Sequence, residues 1–498
     1  MRRVSSRFIL CLFGFAALTA GTVSASADQV ARDAAVRLLR QTVHTQRDGS
    51  HLAKLFALRQ LGDPTLRPLF EQIVDHGEWQ VQVHGVLGLA EVSPDRRLDP
   101  RLVSRTAAAA AHDAIVASAI DLELIGPEEM AQLLDLAELS PAARVMLYAE
   151  RTLQGNPPEV ESLERFADHD RIQVAALASV LLKQRGRGYA LTALQTRLGE
   201  EPAARRDQLR LWLLESIRQY ELDALFDWAR AIAWDDEQRS ELIDAAVWTC
   251  LHLRPEESFA LWRHRIDQIE SRARQVYYIL MLLAAAGESL NEEWVAAFPS
   301  NGDLLNQLAR LGRAKALNTD RVTPMIALID IGHGRTNEWL MAEASRLSAE
   351  EAERLYAHII ESIGRPGGMR PDRIALAIEA AARLFTVNPD RIETMIRDEQ
   401  ATEDMRYVML LGLLETTEER AGRIAAEIVQ PGFSRTDSLT LLLVAKHADE
   451  LTEAQLRRLG MIVAGGGRVS EMVRVQSAWL YLKHQRRIDE TLPAIFLP

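Results

Sequence analysis

The feature that most constrains the fold is the alternation of helix-length amphipathic segments with short breakers. Within each segment apolar residues recur at positions i, i+3, i+4 and i+7, which is typical of a helix with one buried face. Glycine, proline and asparagine interrupt the pattern at short intervals, as at Gly62 to Pro64, Gly126-Pro127 and Asn388-Pro389. Stretches that would favour strands are almost absent. We therefore expect an all-α fold in which successive helix pairs stack into a continuous core.

Four stretches share one arrangement: a short helix, a tight turn and a longer helix that begins with polar residues. They span residues 127–155, 158–186, 388–416 and 451–484. In "PEVESLERFADHDRIQVAALASVLLKQRG", which begins at residue 158, the pattern predicts helices over about 159–167 and 171–184. An arginine precedes the apolar stretch of the second helix in each unit. These arginines are Arg144, Arg171, Arg406 and Arg474.

These units resemble the HEAT family of α-solenoid repeats, particularly its short bacterial form. The resemblance is strongest over residues 51–185, with "LGDP" at 61–64 and "DHDRIQVAALASVLL" at 168–182. It implies an α-solenoid. We count about 14 antiparallel helix pairs over residues 28–498, and 471/14 gives about 34 residues per pair, which is a normal repeat period. The resemblance also implies a structural role for the four arginines, so we expect Arg171 to bond an acidic or carbonyl group in its own or an adjacent repeat. From 186 to 365 the resemblance is to α-solenoids in general, and tetratricopeptide-like pairing stays open.

The first 27 residues have the pattern of a cleaved secretory signal peptide. Arg2, Arg3 and Arg7 precede an apolar run over 8–23, and Ala25-Ser26-Ala27 forms a small-residue cleavage site. The run is shorter than the roughly 20 residues that a spanning helix needs, so cleavage is favoured over an anchor. We therefore predict a periplasmic or secreted protein with a helical array over 28–487 and a capping tail over 488–498. No later segment is expected to cross a membrane.

Charge and cysteine usage narrow the classes of partner. Cleavage would leave 471 residues and change the net charge from −12 to −15, because three arginines and no acidic residue are lost. Such an acidic protein repels nucleic acid and anionic membrane surfaces. Only Cys250 would remain, so no intrachain disulfide can form and packing alone must stabilise the fold.

Candidate chemical sites are weak. His76 and His84 flank an acidic turn, but no third ligand stands nearby at zinc-site spacing, and packed or capping histidines are favoured. Cys250 and His252 diverge by about 200° on a helix, which argues against a dyad. Glu361-Ser362 matches the catalytic pair of superhelical lytic transglycosylases, but the rest of that motif is missing. We predict no catalytic, cofactor or metal site.

Tryptophan is concentrated in the middle of the chain. Five of the nine tryptophans fall within residues 212–262, and Trp212 suits a core position. On the helix predicted from about 236 to 252, Trp248 points away from the apolar face. Its stripe comprises Glu241, Ala245, Trp248 and His252. If this is an inner helix, the stripe faces the concave surface, and Trp248 is a candidate anchor for a partner.

Two functions from different classes follow. The first is a non-catalytic scaffold that binds a protein or peptide partner on its concave surface. The alternative is a cell-envelope enzyme acting on peptidoglycan or glycans, which should show a cleft where carboxylates with perturbed pKa values converge. A purely structural envelope component would show no distinctive groove chemistry.

Overall fold

The computed structural model describes residues 28–497 except 366, 367, 369, 417, 431, 433 and 466–468. The predicted signal peptide, at residues 1–27, lies outside this part. The described residues form 29 α-helices and no strand, and about 75% of these residues are helical. The predicted all-α class is therefore confirmed.

The helices follow one another with short turns. The first segment contains α1 (28–43), α2 (Ser50–Gln60), α3 (Arg67–Ile73), α4 (Trp79–Val92) and α5 (Pro100–Ser104). The middle segment contains α6 (Ala109–Asp121), α7 (Pro127–Asp135), α8 (Pro141–Leu153), α9 (Val160–Ala167), α10 (Ile172–Gln184), α11 (Gly188–Glu200), α12 (Ala203–Gln219), α13 (Phe226–Trp234), α14 (Ser240–Leu253), α15 (Pro255–Asp267), α16 (Arg272–Ala285), α17 (Glu292–Ala296), α18 (Asp303–Ala316), α19 (Val322–Ile331), α20 (Gly334–Ala344), α21 (Ala349–Ser362) and α22 (Pro371–Val387). The last segment contains α23 (Pro389–Arg397), α24 (Glu403–Leu414), α25 (Glu419–Ile428), α26 (Arg435–His447), α27 (Glu453–Val463), α28 (Glu471–His484) and α29 (Ile488–Phe496). Short 3₁₀ helices cover Pro64–Leu66, Asp223–Leu225 and Gly287–Ser289.

Local sequence explains where many helices begin. Proline, whose missing N–H is harmless in the first turn, opens α5, α7, α8, α15 and α22. The Ser348 hydroxyl accepts from the backbone N–H of Glu351, whose carboxylate accepts from Ser348 in return. The helices predicted over 159–167 and 171–184 appear as α9 and α10, each beginning one residue later.

The chain forms two compact units. The first unit combines the described residues of 28–106 with those of 389–497, and the second unit comprises the described residues of 107–388. Within the second unit α9 packs on α10 and α13 packs on α14. Alternate helices also contact one another in order, from α6 through α8, α10, α12 and α14 to α16. We call these six helices the inner row.

Helix α16 shows how this stacking buries apolar surface. Its central stretch is apolar on every side, which predicts burial by several neighbours. The helix contacts α14, α15, α18 and α20. Val276, Tyr278, Ile279 and Leu282 are fully buried. The prediction of burial on several sides is confirmed.

In the first unit, α3 and α4 approach so closely that a Cβ atom at two glycine positions of α4 would force neighbouring atoms to shift. A Cβ atom on Gly85 would lie 2.9 Å from the backbone nitrogen of Val74, and one on Gly88 would lie 2.8 Å from the Phe70 ring. Phe70 is fully buried in the resulting contact.

The two ends of the chain also pack together in the first unit. Helix α2 contacts α28, and the Gln476 side chain donates to the Ala57 carbonyl at 2.9 Å. The Lys483 ammonium lies 2.8 Å from the Asp63 carboxylate, which is 3% exposed. Residues 488–496, predicted as a capping tail, form helix α29, where the Ala494 carbonyl accepts from Arg40 of α1 at 2.8 Å.

Candidate functional site

Three of the four repeat arginines have one structural role. Arg144, Arg406 and Arg474 are each the fourth residue of their helix, and each donates to carbonyls where the preceding helix ends. The acceptors are Leu134 and Leu136 for Arg144, Ile396 and Asp398 for Arg406, and Val463 for Arg474. The last carbonyls of a helix lack intrahelical partners, so a cationic donor there stabilises the helix end.

Arg171 lies in a different place. It is the residue before α10, and its half-exposed guanidinium lies 3.1 Å from the Asp113 carboxylate of α6. The end of α9 is instead capped by Arg197, which donates to the His169 carbonyl at 2.9 Å. In two other helices the fourth residue is a glutamine. Gln82 donates to the His76 carbonyl and Gln275 donates to the Ile269 carbonyl, each at 2.7 Å. Position in the helix therefore decides which side chain can cap.

This difference predicts unequal losses of stability. Arg144→Ala should lower the free energy of unfolding by about 1 to 3 kcal/mol, because two carbonyls lose a charged donor. Arg171→Ala should cost under about 1 kcal/mol, because its ion pair is solvent-exposed. Urea denaturation followed by circular dichroism compares the two variants. An equal loss in both would contradict the distinction.

The histidines and the cysteine are parts of the packing. The His84 ring lies 3.3 Å from an Arg59 nitrogen, and burial lowers the pKa of His84 to about 4. His76 accepts a hydrogen bond from the Glu78 N–H at 3.1 Å. Cys250 is fully buried, and burial raises the pKa of its thiol to about 12. Across the described residues no three His, Cys, Asp or Glu side chains are grouped so that they could hold a metal ion.

Trp248 lines a cavity of about 460 Å³ in the second unit. The indole is half-buried on α14 and stacks on Tyr277 of α16, with ring centroids 5.8 Å apart and planes 25° apart. Helix α20 supplies the facing wall through Trp339 and Ala342. We call this cavity the aromatic groove; its apolar lining comprises Trp248, Tyr277, Leu280, Ala284, Trp339 and Ala342.

Of the four stripe residues, Trp248 alone is among the residues lining the aromatic groove. Glu241 is exposed and pairs with Arg239 at 3.4 Å. Ala245 accepts hydrogen bonds through its carbonyl, and His252 is exposed on the last turn of α14. The stripe was derived from one helix, whereas the groove is built by three. Tyr277 and Trp339 were therefore missed, and within their own helices both read as ordinary amphipathic or core positions.

Charged groups of both signs border the aromatic groove. The Arg218 guanidinium carbon lies 5.6 Å from the Trp248 ring centroid, and that of Arg335 lies 5.2 Å from the Tyr277 centroid. Burial lowers the pKa of Arg218. Arg346 and Glu338 complete the charged lining.

A buried ion pair lies beside the groove, and one of its members, Glu343, is a lining residue. The Lys315 ammonium is 2.8 Å from the Glu343 carboxylate, and the side chains are 7% and 2% exposed. Arg346 approaches the other oxygen of Glu343 at 3.2 Å. Burial lowers the pKa of Lys315, and the Glu343 carboxylate opposes that change. Glu343 is thus held by two cations, while Glu338 is exposed on the rim.

A second cavity, of about 440 Å³, lies farther along the inner row. We call it the alanine groove; its lining includes Ala114, Ala117, Ala142, Met146, Leu177 and Trp212. Trp212, predicted as core, is half-buried: it packs on the hydrophobic core and also lines this groove. The Asp113–Arg171 pair borders it.

No family model matches the sequence, and no significantly similar protein was found among curated proteins or solved structures. In the part of the chain that the structure describes, no helix has both the length and the apolar character to cross a membrane.

Proposed function

We propose that the protein is a secreted or periplasmic, non-catalytic scaffold, a HEAT-like α-solenoid of about 14 helix pairs that binds a protein or peptide partner. The partner would lie on the concave surface, along the inner row. The observation that carries this proposal is the position of Trp248. Its side chain is only half-buried, and it lines a cavity that α14, α16 and α20 enclose together. The signal-peptide pattern of residues 1–27 supports the secreted location.

Physical chemistry favours binding at this position. Tryptophan and tyrosine contribute large contact areas at little cost in conformational entropy, and they dominate the energetics of many interfaces. The groove places two tryptophans and a tyrosine around one cavity. Its buried carboxylate is held by Lys315 and Arg346, so the groove offers contact surface rather than a pair of free carboxylates.

Site-specific photo-crosslinking tests this function. Ala342 is exposed and lines the aromatic groove, so a photoreactive amino acid there should capture a partner in intact cells. The same amino acid at Arg263, an exposed position on α15, is the matched control. Capture at 342 should disappear in Trp248→Ala and persist in Trp234→Ala, which removes a tryptophan that is 43% exposed.

Circular dichroism must show that both tryptophan variants remain folded. Where Trp248→Ala does not fold, Ala342→Arg serves instead, because it fills the groove without removing a packed side chain. Equal capture at 342 and 263 would contradict the scaffold function. Turnover of peptidoglycan by the purified chain would support the enzyme alternative.

A further inference from the structure

We propose that the aromatic groove recognises an extended peptide segment in which an acidic side chain lies next to an aromatic or large aliphatic one. This inference rests on the proposed scaffold function and names the chemistry of its partner. The geometry behind it is an ordered series of four side chains: Arg218, Trp248, Tyr277 and Arg335. Consecutive members are 5.6, 5.8 and 5.2 Å apart, measured between guanidinium carbons and ring centroids.

The two arginines of this series lack carboxylate partners. No ion pair within 4 Å joins Arg218 or Arg335 to an acidic residue in the described part of the chain, although Glu215 acts on Arg218 electrostatically. Arg218 makes only long hydrogen bonds of 3.4 Å, to Ala245 and Thr249. Two arginines of neighbouring helices are paired, Arg254 with Asp223 and Arg274 with Asp244, each at 2.7 Å. The chain has 70 acidic and 58 basic residues, so carboxylates are abundant. Unpaired guanidinium groups beside a groove are therefore available to a ligand anion.

The charges in and beside the groove leave a small positive excess. Within the lining, Arg335 and Arg346 are balanced by Glu338 and Glu343. Beside the lining, Arg218 and Lys315 add two positive charges and Glu215, which acts on Arg218, adds one negative charge. This excess of one positive charge lies on a protein whose overall net charge is −12. A local field of opposite sign to the whole molecule steers and orients an acidic ligand.

The apolar lining identifies the neighbour of that anion. Three aromatic rings and the aliphatic side chains of Leu280, Ala284 and Ala342 surround a cavity of about 460 Å³. A space of this size accepts one or two large side chains. A glycan would need many polar partners for its hydroxyl groups, whereas six of the ten lining residues are apolar or aromatic.

The second cavity favours an extended ligand over a small molecule. The alanine groove is lined by residues of α6, α8, α10 and α12, and the aromatic groove includes residues of α14 and α16. Both belong to the inner row of the second unit. A peptide lying along this row would place an acidic–aromatic pair in the aromatic groove and further apolar side chains in the alanine groove.

Fluorescence anisotropy with the full chain tests this specificity. The probes are three fluorescein-labelled Gly-Ser peptides with central sequences Asp-Trp-Leu-Glu, Lys-Trp-Leu-Lys and Asp-Ala-Ala-Glu. The first should bind, and each of the others should bind at least about tenfold more weakly, because each lacks one half of the recognised pair. Arg335→Glu should weaken the binding of the acidic peptide by about tenfold and strengthen the binding of the lysine peptide.

Arg263→Glu is the matched control, since it changes the net charge equally at an exposed site outside the groove. The inference would be overturned if the Arg335 and Arg263 variants bound the acidic peptide with equal affinity. It would also be overturned if the acidic and lysine peptides bound equally well, or if the protein bound peptidoglycan fragments in place of peptides. Capture of a partner at 342 together with no preference for the acidic peptide would leave the scaffold function standing and reject this specificity. Absence of capture would count against the scaffold function itself.

Discussion

Replacing Trp479 with alanine is expected to lower the unfolding free energy of the first unit by about 3 to 5 kcal/mol, the range for deleting a large buried aromatic side chain. The Trp479 side chain is fully buried on α28, and its indole N–H donates to the Thr65 hydroxyl at 3.0 Å. This contact joins residues 414 positions apart, so the loss should weaken the packing of one chain end on the other. Hydrogen exchange measured by mass spectrometry should show faster exchange in α2 and α28.

Trp262→Ala is the matched control in the second unit. Trp262 is also fully buried, and its indole N–H donates to the Tyr278 carbonyl at 2.8 Å. Its loss should accelerate exchange in α15 and α16 while α2 and α28 stay protected. Trp479→Phe should lie between wild type and Trp479→Ala, because it keeps most of the apolar volume. Unchanged protection of α2 in Trp479→Ala would mean that the two chain ends do not depend on each other.

Acidification should destabilise the first unit. Burial lowers the pKa of both His84 and His447 to about 4, aided by Arg59 beside His84 and by Lys446 and Lys483 near His447. In the unfolded chain these imidazoles titrate near 6.5 and take up protons that the folded state excludes. Above pH 6.5 both states are neutral and the histidines add no pH dependence. As the pH falls from 6.5 towards 4, stability is lost.

The expected size of this effect is large for two side chains. Linkage gives about 1.4 kcal/mol per pH unit for each proton, so the fall from pH 7 to pH 5 should cost on the order of 3 kcal/mol. Urea denaturation at both pH values measures it. His84→Asn combined with His447→Gln removes the two titrating groups and should flatten the dependence, even if overall stability changes. A slope identical to wild type in the double variant would show that other groups control acid sensitivity.

Local sequence patterns were sufficient for the secondary structure and for much of the burial. Helix boundaries at α9 and α10 follow from apolar periodicity and turn residues, which act over a few neighbouring positions. The complete burial of Val276, Ile279 and Leu282 in α16 follows from apolar residues on every side, since such a helix is unstable in water alone. The same reasoning predicts that Trp248 points away from the apolar face of α14, because the angle between successive residues on a helix is constant. In the structure Trp248 is half-buried and lines the aromatic groove.

Only the tertiary structure decided what those faces meet. Periodicity indicates which side of a helix is buried, but it does not indicate which other helix packs against that side. Tyr277 and Trp339 could therefore not be assigned to the groove of Trp248 from the sequence. The offset of Arg171 from the capping position is a single turn of helix, which decides whether a guanidinium reaches a carbonyl or a distant carboxylate. The packing of α2 on α28 depends on contacts across more than four hundred residues, such as Gln476 to Ala57. Contacts between side chains so far apart in sequence depend on complementary shape and on hydrogen bonds that form only when the chain folds. The local sequence around each residue carries no information about either.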